Sequence, residues 1–329
     1  MSSIQIEAMN MARKEFFDNI TSVINDWKNT SFTFNPKDNV PGLDDKNLTY
    51  GNGEEKKGVE IETCVLFVDI RNSVQLTKEK QVKTMGKIYS VFTQCVLMAA
   101  QNEGGFVRNI IGDRVMVLFS PDDCFKKAVY CAITINHIAS LINKKFDNFE
   151  FKCGIGIDYG KLSVMKVGIK KNGSENDDNK GLVWVGYPAN FASRLTDCAG
   201  KEFTDTYYNV DGEFFEFHPF NRGISFLGFP KTGYYRETKK FTAEQLASAL
   251  SVSRNEIKLS LCSKIYSITK VDEKYTYKSI LISEKVYQGY AKAVPNAKDI
   301  RNNWWKKQTR KIRDIDYKIW GSDLVWKLD

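Results

Sequence analysis

Along the first thirty positions the apolar residues Met9, Ala12, Phe16, Ile20, Val23 and Ile24 recur mostly at three- and four-residue steps. That spacing gathers them on one stripe and predicts an amphipathic helix over 4–27, suited to helix packing or a dimer contact. Residues 31–60 are rich in Asn, Asp, Gly, Lys and Pro and predict an extended surface loop. The run IETCVLFVDI at 61–70 is almost continuously apolar and β-rich, as expected of a buried strand, and it is interrupted at Asp69. From 82 to 102, Met85, Ile88, Tyr89, Phe92, Val96 and Ala99 mark a long helix that Gly104-Gly105 stops. Two short strands follow, 106–111 and 114–119, with room between them only for a tight turn at Gly112-Asp113.

A second long helix is predicted over 122–145, then a strand over 149–158 with a hairpin partner at 161–168. A polar loop at 172–180 leads to a short helix over 188–199 that carries Pro188 in its first turn. The order β-α-β-β-α-β is that of an α+β, ferredoxin-like sheet, in which helices cover one face and the other is open to a ligand. Residues 200–277 break the rhythm with GEFFEFHPF, a Gly/Pro/Tyr-rich stretch and a helical segment around 242–261. They read as an insertion, after which 279–290 and 312–328 supply a strand, a helix and a closing hairpin. The chain thus divides into an N-terminal helix and loop (1–58), a core (59–199), the insertion (200–277) and a C-terminal return to the core (278–329). No internal repeat is evident.

Composition narrows the picture. With 329 residues, 42% of them hydrophobic, the chain can bury a large core. No apolar run approaches the roughly 20 residues that cross a bilayer, and Glu7, Lys14, Glu15 and Asp18 interrupt the amino-terminal segment where a secretory signal would be unbroken. A cytoplasmic protein without a membrane partner is expected. The seven cysteines (64, 95, 124, 131, 153, 198, 262) are scattered and fit a reducing compartment. Only two histidines, His137 and His218, are present, too few for His-rich metal sites or for most nucleophilic triads. The net charge of +8 suits an anionic partner, whether a triphosphate, a nucleic acid or only solvent.

Two carboxylates stand where phosphate chemistry could use them. Asp69 lies at the end of a central strand and Asp113 in the turn of the neighbouring hairpin. Paired carboxylates of this kind hold two divalent ions about 4 Å apart, and hard ions such as Mg²⁺ or Mn²⁺ prefer such oxygen donors. Taken singly, Asp69 could equally cap the following helix and Asp113 could simply serve the turn.

The motifs around them resemble those of the class III nucleotidyl cyclases. VLFVDIRNSVQLT is similar to that family's first metal motif, EGGFVRNIIGDRVMVLF to its second, FKCGIGIDYGKL to the hairpin that follows, and VGYPANFASRL to its transition-state helix. The resemblance implies a homodimeric ferredoxin-like cyclase fold with an insertion. Asp69 and Asp113 would hold two Mn²⁺ or Mg²⁺ ions per site, helped by the backbone carbonyl of Ile70. Backbone N–H groups of Asn72, Ser73 and Val74 at a helix start would receive the triphosphate. Asn190 and Arg194, four residues apart and on one face of a helix, would orient the ribose and neutralise charge as the 3′-oxygen attacks the α-phosphate. The family builds each site from two chains, which implies a head-to-tail homodimer with shared sites. Lys318 resembles the basic residue that contacts the terminal phosphates, although a surface lysine fits that place nearly as well.

Purine cyclases read the base at two positions, and both depart from the pattern here. The first is Asn109, where Lys marks adenylate and Glu guanylate cyclases; the second is Val183, commonly Asp for adenine. A buried Val offers no polar group, whereas Asn109 offers a donor and an acceptor to a uracil or cytosine edge. The segment LTYGN…KKGVEIETCVLFVDIRNS also resembles the bacterial pyrimidine cyclases (Pycsar), which make cyclic CMP or cyclic UMP as antiviral second messengers. A pyrimidine triphosphate, CTP or UTP, and a separate cyclic-nucleotide effector follow from that likeness. Tyr50 and Trp184 are candidates to narrow the pocket, or else pack in a loop and the core. Besides a catalytically dead cyclase-like dimer used for binding, against which the joint retention of Asp69, Asp113, Asn190 and Arg194 argues, two other readings stand beside this one. One is an adenylate cyclase with unusual base contacts. The other is a helix-turn-helix DNA-binding regulator, drawn from TAEQLASALSVSRNEIKLSL; nucleic acid is otherwise not an expected partner.

Overall fold

The computed structural model describes residues 3–73, 82–146, 150–171, 174–217, 232–253, 256–308 and 318–328. They fall into two compact units, one formed by Met1–Lys201 with Tyr277–Asp329 and the other by Glu202–Thr276.

The first unit is built on a long strand, β2 (Lys56–Ile70), most of which is buried, in keeping with its apolar run, with Glu62 exposed. Its neighbours are β3 (Gly105–Ile111), β4 (Arg114–Phe119) and β5 (Cys153–Lys171), in the order β5-β2-β4-β3 with every pairing antiparallel. With the intervening helices α2 (Val82–Asn102) and α3 (Cys124–Lys145), this is the ferredoxin-like βαββαβ topology. The sheet is extended beyond β5 by β12 (Ile280–Ser283), β14 (Ile319–Ser322) and β13 (Lys306–Gln308), and α6 (Glu284–Ala293) follows β12.

One face of the sheet is sealed by α2, α3 and α6 over Leu66, Val68, Ile88, Phe92, Val117, Ile135, Ile155 and Ile282, all without solvent exposure. Each such side chain contributes about 1.5–3 kcal/mol by leaving water. The opposite face carries a second cluster in which Val65, Met116, Leu118 and Leu162 meet Ala189 and Ala192 of α4 (Tyr187–Cys198), with Val40 and Leu48 of the N-terminal loop.

Several elements differ from the pattern-based expectation. The 31–60 segment is not all loop: β1 (Phe32–Pro36) pairs in parallel with the start of β2. The strand expected to turn near 159–160 instead runs straight through Gly160, because β2 offers pairing partners from Val59 to Ile70 and β6 (Ser174–Val185) continues the ladder. The polar stretch 172–180 is therefore largely the first half of β6, where ladder hydrogen bonding outweighs poor β-propensity. Where a second helix would complete a helix-turn-helix, β9 (Leu250–Ser253) pairs antiparallel with β10 (Glu256–Leu259) after the short α5 (Ala243–Ala249). The helix-turn-helix reading is thereby overturned; the β-branched and alternating residues of SVSRNEIKL favour strand pairing. The stripe of α1 (Ser3–Asn29) is solvent-exposed at Phe16, Ile20 and Val23.

The chain leaves the first unit and returns to it at one point. Gly200 N–H donates to Lys278 O at 2.9 Å and Tyr277 N–H donates to Lys201 O at 3.1 Å. The second unit is a three-stranded antiparallel sheet, β11 (Cys262–Thr276), β7 (Glu202–Glu216) and β8 (Gly233–Thr242), closed over a small core of Val210, Phe214, Leu246 and Leu259. Among the described residues no helix is long and apolar enough to cross a membrane.

Asp158, on β5, is 3% exposed, and burial pushes its carboxyl up to about 6. A folded-state value above the unfolded one means that the neutral form favours folding: the contribution of this carboxyl to stability is greatest below about pH 4 and is lost as pH rises through about 6. Asp158→Asn is expected to raise the melting temperature at pH 7.5, by the equivalent of about 2–3 kcal/mol, and to leave it unchanged at pH 4. Thermal unfolding at the two pH values measures the difference.

Candidate active site

The antiparallel register pairs Val68 with Val115, so the residue after Val68 comes level with the tight turn between β3 and β4. That turn contains Gly112, in the left-handed region at φ 63°, and Asp113. Asp69 and Asp113 consequently converge. Burial, and secondly the neighbouring Asp69 carboxylate, push the Asp113 carboxyl up, while a hydrogen bond from Ser73 opposes the shift. The Oδ2 atom of Asp113 is buried and has no hydrogen-bond partner among the described residues. A crowded carboxyl pair with an orphaned buried oxygen fits a divalent cation, because an ion supplies both the missing partner and the charge that removes the repulsion.

Sequence reasoning missed Arg114. Its Nη2 donates to Asp69 Oδ2 at 2.9 Å and to Asp197, and its Nη1 donates to Ser193 Oγ at 2.9 Å. One guanidinium thus ties Asp69 to α4; an Arg directly after the turn Asp was the only signal in the sequence. A second tie comes from Arg71, 4% exposed, whose Nη2 donates to the Thr196 carbonyl. Thr196 Oγ1 in turn donates to Phe67 O at 3.0 Å. These bonds need α4 to lie almost on the β5 backbone, and CGIGID permits it. A Cβ at Gly154 would collide with Arg71, and one at Gly156 with the Ala192 carbonyl and the Thr196 backbone.

Ala189, Ala192, Leu195 and Thr196 are buried under α4, whereas Asn190 and Arg194 stand exposed on its outer face. Neither of their side chains has a partner among the described residues. The outer face of α4 is therefore available to another molecule.

The remaining candidates divide. Ile70 ends β2 with its side chain in the core, 3% exposed, which leaves its carbonyl as the group that could ligate. Asn72 adopts a left-handed turn, φ 56°, rather than a helical start, and Ser73 opens a helical turn; Val74 lies outside the described residues. Asn109 is exposed on β3 and borders a cavity shared with Leu182 of β6. Val183 is 39% exposed, not buried as expected, because alternation along β6 turns its neighbours Leu182 and Trp184 inward. Trp184 packs in the second core cluster with its Nε1 unpartnered among the described residues.

Tyr50 lies far from Asp69, near the start of β2, where Lys166 of β5, the ladder partner of Leu182, reaches over its ring. Thr49 pairs with Lys57, twelve residues before Asp69 on β2, or roughly 40 Å along the strand. Tyr50 is 4% exposed and borders a different cavity, with Trp27 and Lys170, so it does not narrow the space beside Asn109. Lys318 is exposed and pairs with Glu284 at 3.3 Å.

No protein-family model matches the chain. It is 32% identical over 168 residues to a uridylate cyclase of Burkholderia cepacia, spanning 49% of this chain and 69% of that protein. It is 31% identical over 186 residues to a uridylate cyclase of Xanthomonas perforans, 54% of this chain and 75% of that one. A uridylate cyclase of Gulbenkiania mobilis matches at 28% over 222 residues, 63% and 81% of the two chains. Among solved structures, the guanylyl cyclase Cya2 aligns with a TM-score of 0.47 at 14% identity, over 82% of this chain and 96% of that one. The adenylyl cyclase CyaB of P. aeruginosa aligns at 0.46 and 14%, over 80% and 94%. The chain belongs to the class III nucleotidyl cyclases. Within them it stands close to the bacterial pyrimidine cyclases of the Pycsar type.

Two outcomes follow from the geometry. Asp113→Asn relieves the carboxyl repulsion, so the variant is expected to melt above the parent without metal and to gain nothing from added Mn²⁺. The parent should gain about 2.7 kcal/mol at a hundredfold excess over the dissociation constant, as thermal melts with and without Mn²⁺ would record. Arg114→Ala frees the carboxylate turn from α4 and is expected to lower cyclase kcat by about 10²-fold, the scale of a small misplacement. Steady-state kinetics against Arg114→Lys, which keeps the charge but not the fork, checks it.

Proposed function

We propose that this chain is a pyrimidine nucleotide cyclase that converts UTP to 3′,5′-cyclic UMP and pyrophosphate. The observation that carries the reading is the convergence of Asp69 and Asp113 beside a helix whose outer face presents Asn190 and Arg194. The names of the relatives favour UTP over CTP, and the lack of a charged residue at both purine-reading positions, Asn109 and Val183, supports a pyrimidine over ATP.

Asp69, Asp113 and the carbonyl of Ile70 would hold Mn²⁺ or Mg²⁺, two per site, which supplies charge neutralisation at the phosphates and acidifies the attacking 3′-hydroxyl. Asn190 hydrogen-bonds the ribose and so aligns its 3′-oxygen with the α-phosphate. Arg194, always charged and rich in donors, meets the negative charge that grows as pyrophosphate departs. Asn109 offers its amide to the edge of the base, and the backbone around Asn72 and Ser73 receives phosphate oxygens. The outward projection of Asn190 and Arg194 favours a site shared between two copies, the carboxylates of one facing the α4 of the other, in a head-to-tail homodimer. Lys318 stands as a candidate for the terminal phosphates. The product would act as a second messenger in antiviral defence, sensed by a separate effector.

Incubation with Mn²⁺ and each of the four ribonucleoside triphosphates separately, read by mass of the cyclic product, is expected to yield cyclic UMP; product from ATP alone overturns the assignment. Arg194→Ala should lower kcat by about 10³-fold or more. Mixing two inactive variants, Asp113→Asn and Arg194→Ala, should restore activity by assembling one intact shared site, and no recovery in proven heterodimers contradicts the shared site.

A further inference from the structure

Beside Asn109 lies a cavity of about 310 Å³, bordered by Arg108 and Asn109 of β3, Gly181 and Leu182 of β6, and Gly42 and Leu43 of the N-terminal loop. Three segments distant in the sequence meet there, and nothing in the cyclase motifs includes the third. The loop is held by its own turn: Asp45 N–H donates to Gly42 O at 3.2 Å, Leu48 N–H donates to Asp45 O at 3.1 Å, and Lys37 pairs with Asp45. Val40 and Leu48, 7% and 2% exposed, anchor its two ends in the second core cluster. Arg108 then straps it to the hairpin, Nε donating to Pro41 O at 2.9 Å and Nη2 reaching Val40 O at 3.5 Å.

The position of this strap matters because of what it faces. Asn109 is the residue that would read the base, and Leu182 lies on the strand that runs directly into α4 and Asn190. Asn109 and Leu182 therefore line one cavity, and Leu43 borders the same space. A single-ring base and a fused two-ring base differ chiefly in the room they need beyond the edge being read. Polar readout by one Asn cannot exclude a purine by itself, since a purine edge also carries a donor and an acceptor.

We infer that the strap 40–43, pinned by Arg108, is the size gate of the nucleobase pocket, and that Leu43 is a specificity-determining residue that excludes purines by occupying the space of the second ring. The inference rests on the cyclase reading above but goes beyond it, since it assigns selectivity to a segment outside the sheet and its motifs. The gate acts by volume and by the rigidity of the strap. Removing either should admit the larger base.

The test is the ratio of kcat/KM for ATP to that for UTP, with Mn²⁺, in the full-length protein. Leu43→Ala is expected to raise this ratio at least about tenfold, the scale of a few methylene groups in an apolar pocket. Leu43→Trp is expected to lower kcat/KM for UTP through KM rather than kcat. Arg108→Lys, which keeps the charge but loses the fork that grips two carbonyls, should move the ATP/UTP ratio in the same direction as Leu43→Ala. A ratio unchanged within about twofold in both Leu43→Ala and Arg108→Lys, with UTP turnover present, overturns the gate while leaving the cyclase reading intact. If the parent forms no cyclic product from any triphosphate, the cyclase reading fails first. Calorimetric titration with α,β-methylene ATP and α,β-methylene UTP then judges the gate alone: equal preference in parent and Leu43→Ala overturns it, and a gain in purine affinity only in the variant supports it. Leu43 is 42% exposed, so these substitutions leave the core intact.

Discussion

Two carboxyl groups drawn together by sheet register set the terms for the rest of this molecule. Asp69 cannot move without breaking the β2 ladder, and Asp113 is fixed by a two-residue turn that needs Gly112 in a left-handed conformation. Their proximity, together with burial, raises the Asp113 carboxyl and leaves one of its oxygens unpartnered. Such an arrangement costs folding free energy, and proteins keep it where function requires it. Arg114 offsets part of the repulsion from one side. That same guanidinium reaches Ser193 and Asp197, so the charge balance of the carboxylate pair is coupled to the placement of α4.

The close seating of α4 is a consequence of absent side chains. Gly154 and Gly156 leave the β5 backbone bare where the helix crosses it, and Arg71 and Thr196 bond into the resulting contact. A helix seated this deeply buries one face completely and must present the other to solvent or to a partner. Asn190 and Arg194 occupy that outer face. One helix thus packs with small residues inward and leaves polar residues outward.

In the proposed function, base recognition rests on a different balance. The two positions that carry charged residues in purine cyclases are here an amide and an exposed valine, and neither supplies a strong electrostatic preference. Volume becomes the available discriminator. The N-terminal loop, anchored at Val40 and Leu48 and gripped by Arg108, brings apolar bulk to the place where volume would count.

Much of this was legible in the sequence because it is local. The helices over 82–102 and 124–145 and the strand ending at Asp69 follow from periodicity, since burial of one stripe or of both faces is written directly in residue order. Asp69 and Asp113 stood out from their places at a strand end and in a tight turn, and the resemblance to the cyclase motifs added Asn190 and Arg194 as candidates. The continuation of β5 through Gly160, the strand in the polar 174–180 stretch and the strand pair after Ala249 were not legible, because each is decided by pairing with another strand. Tyr50 illustrates the same limit. Its place just upstream of the first strand made it a candidate to narrow the base pocket, but β2 begins at Lys56 and sets it at the end of the strand away from Asp69. Residue order by itself determined which groups are chemically able to act, because side-chain type and local period are intrinsic to the chain. Only the tertiary structure decided which of them come together, including Arg114 with α4 and Leu43 with Asn109 around one cavity, because those placements depend on register and on the close approach that glycines allow.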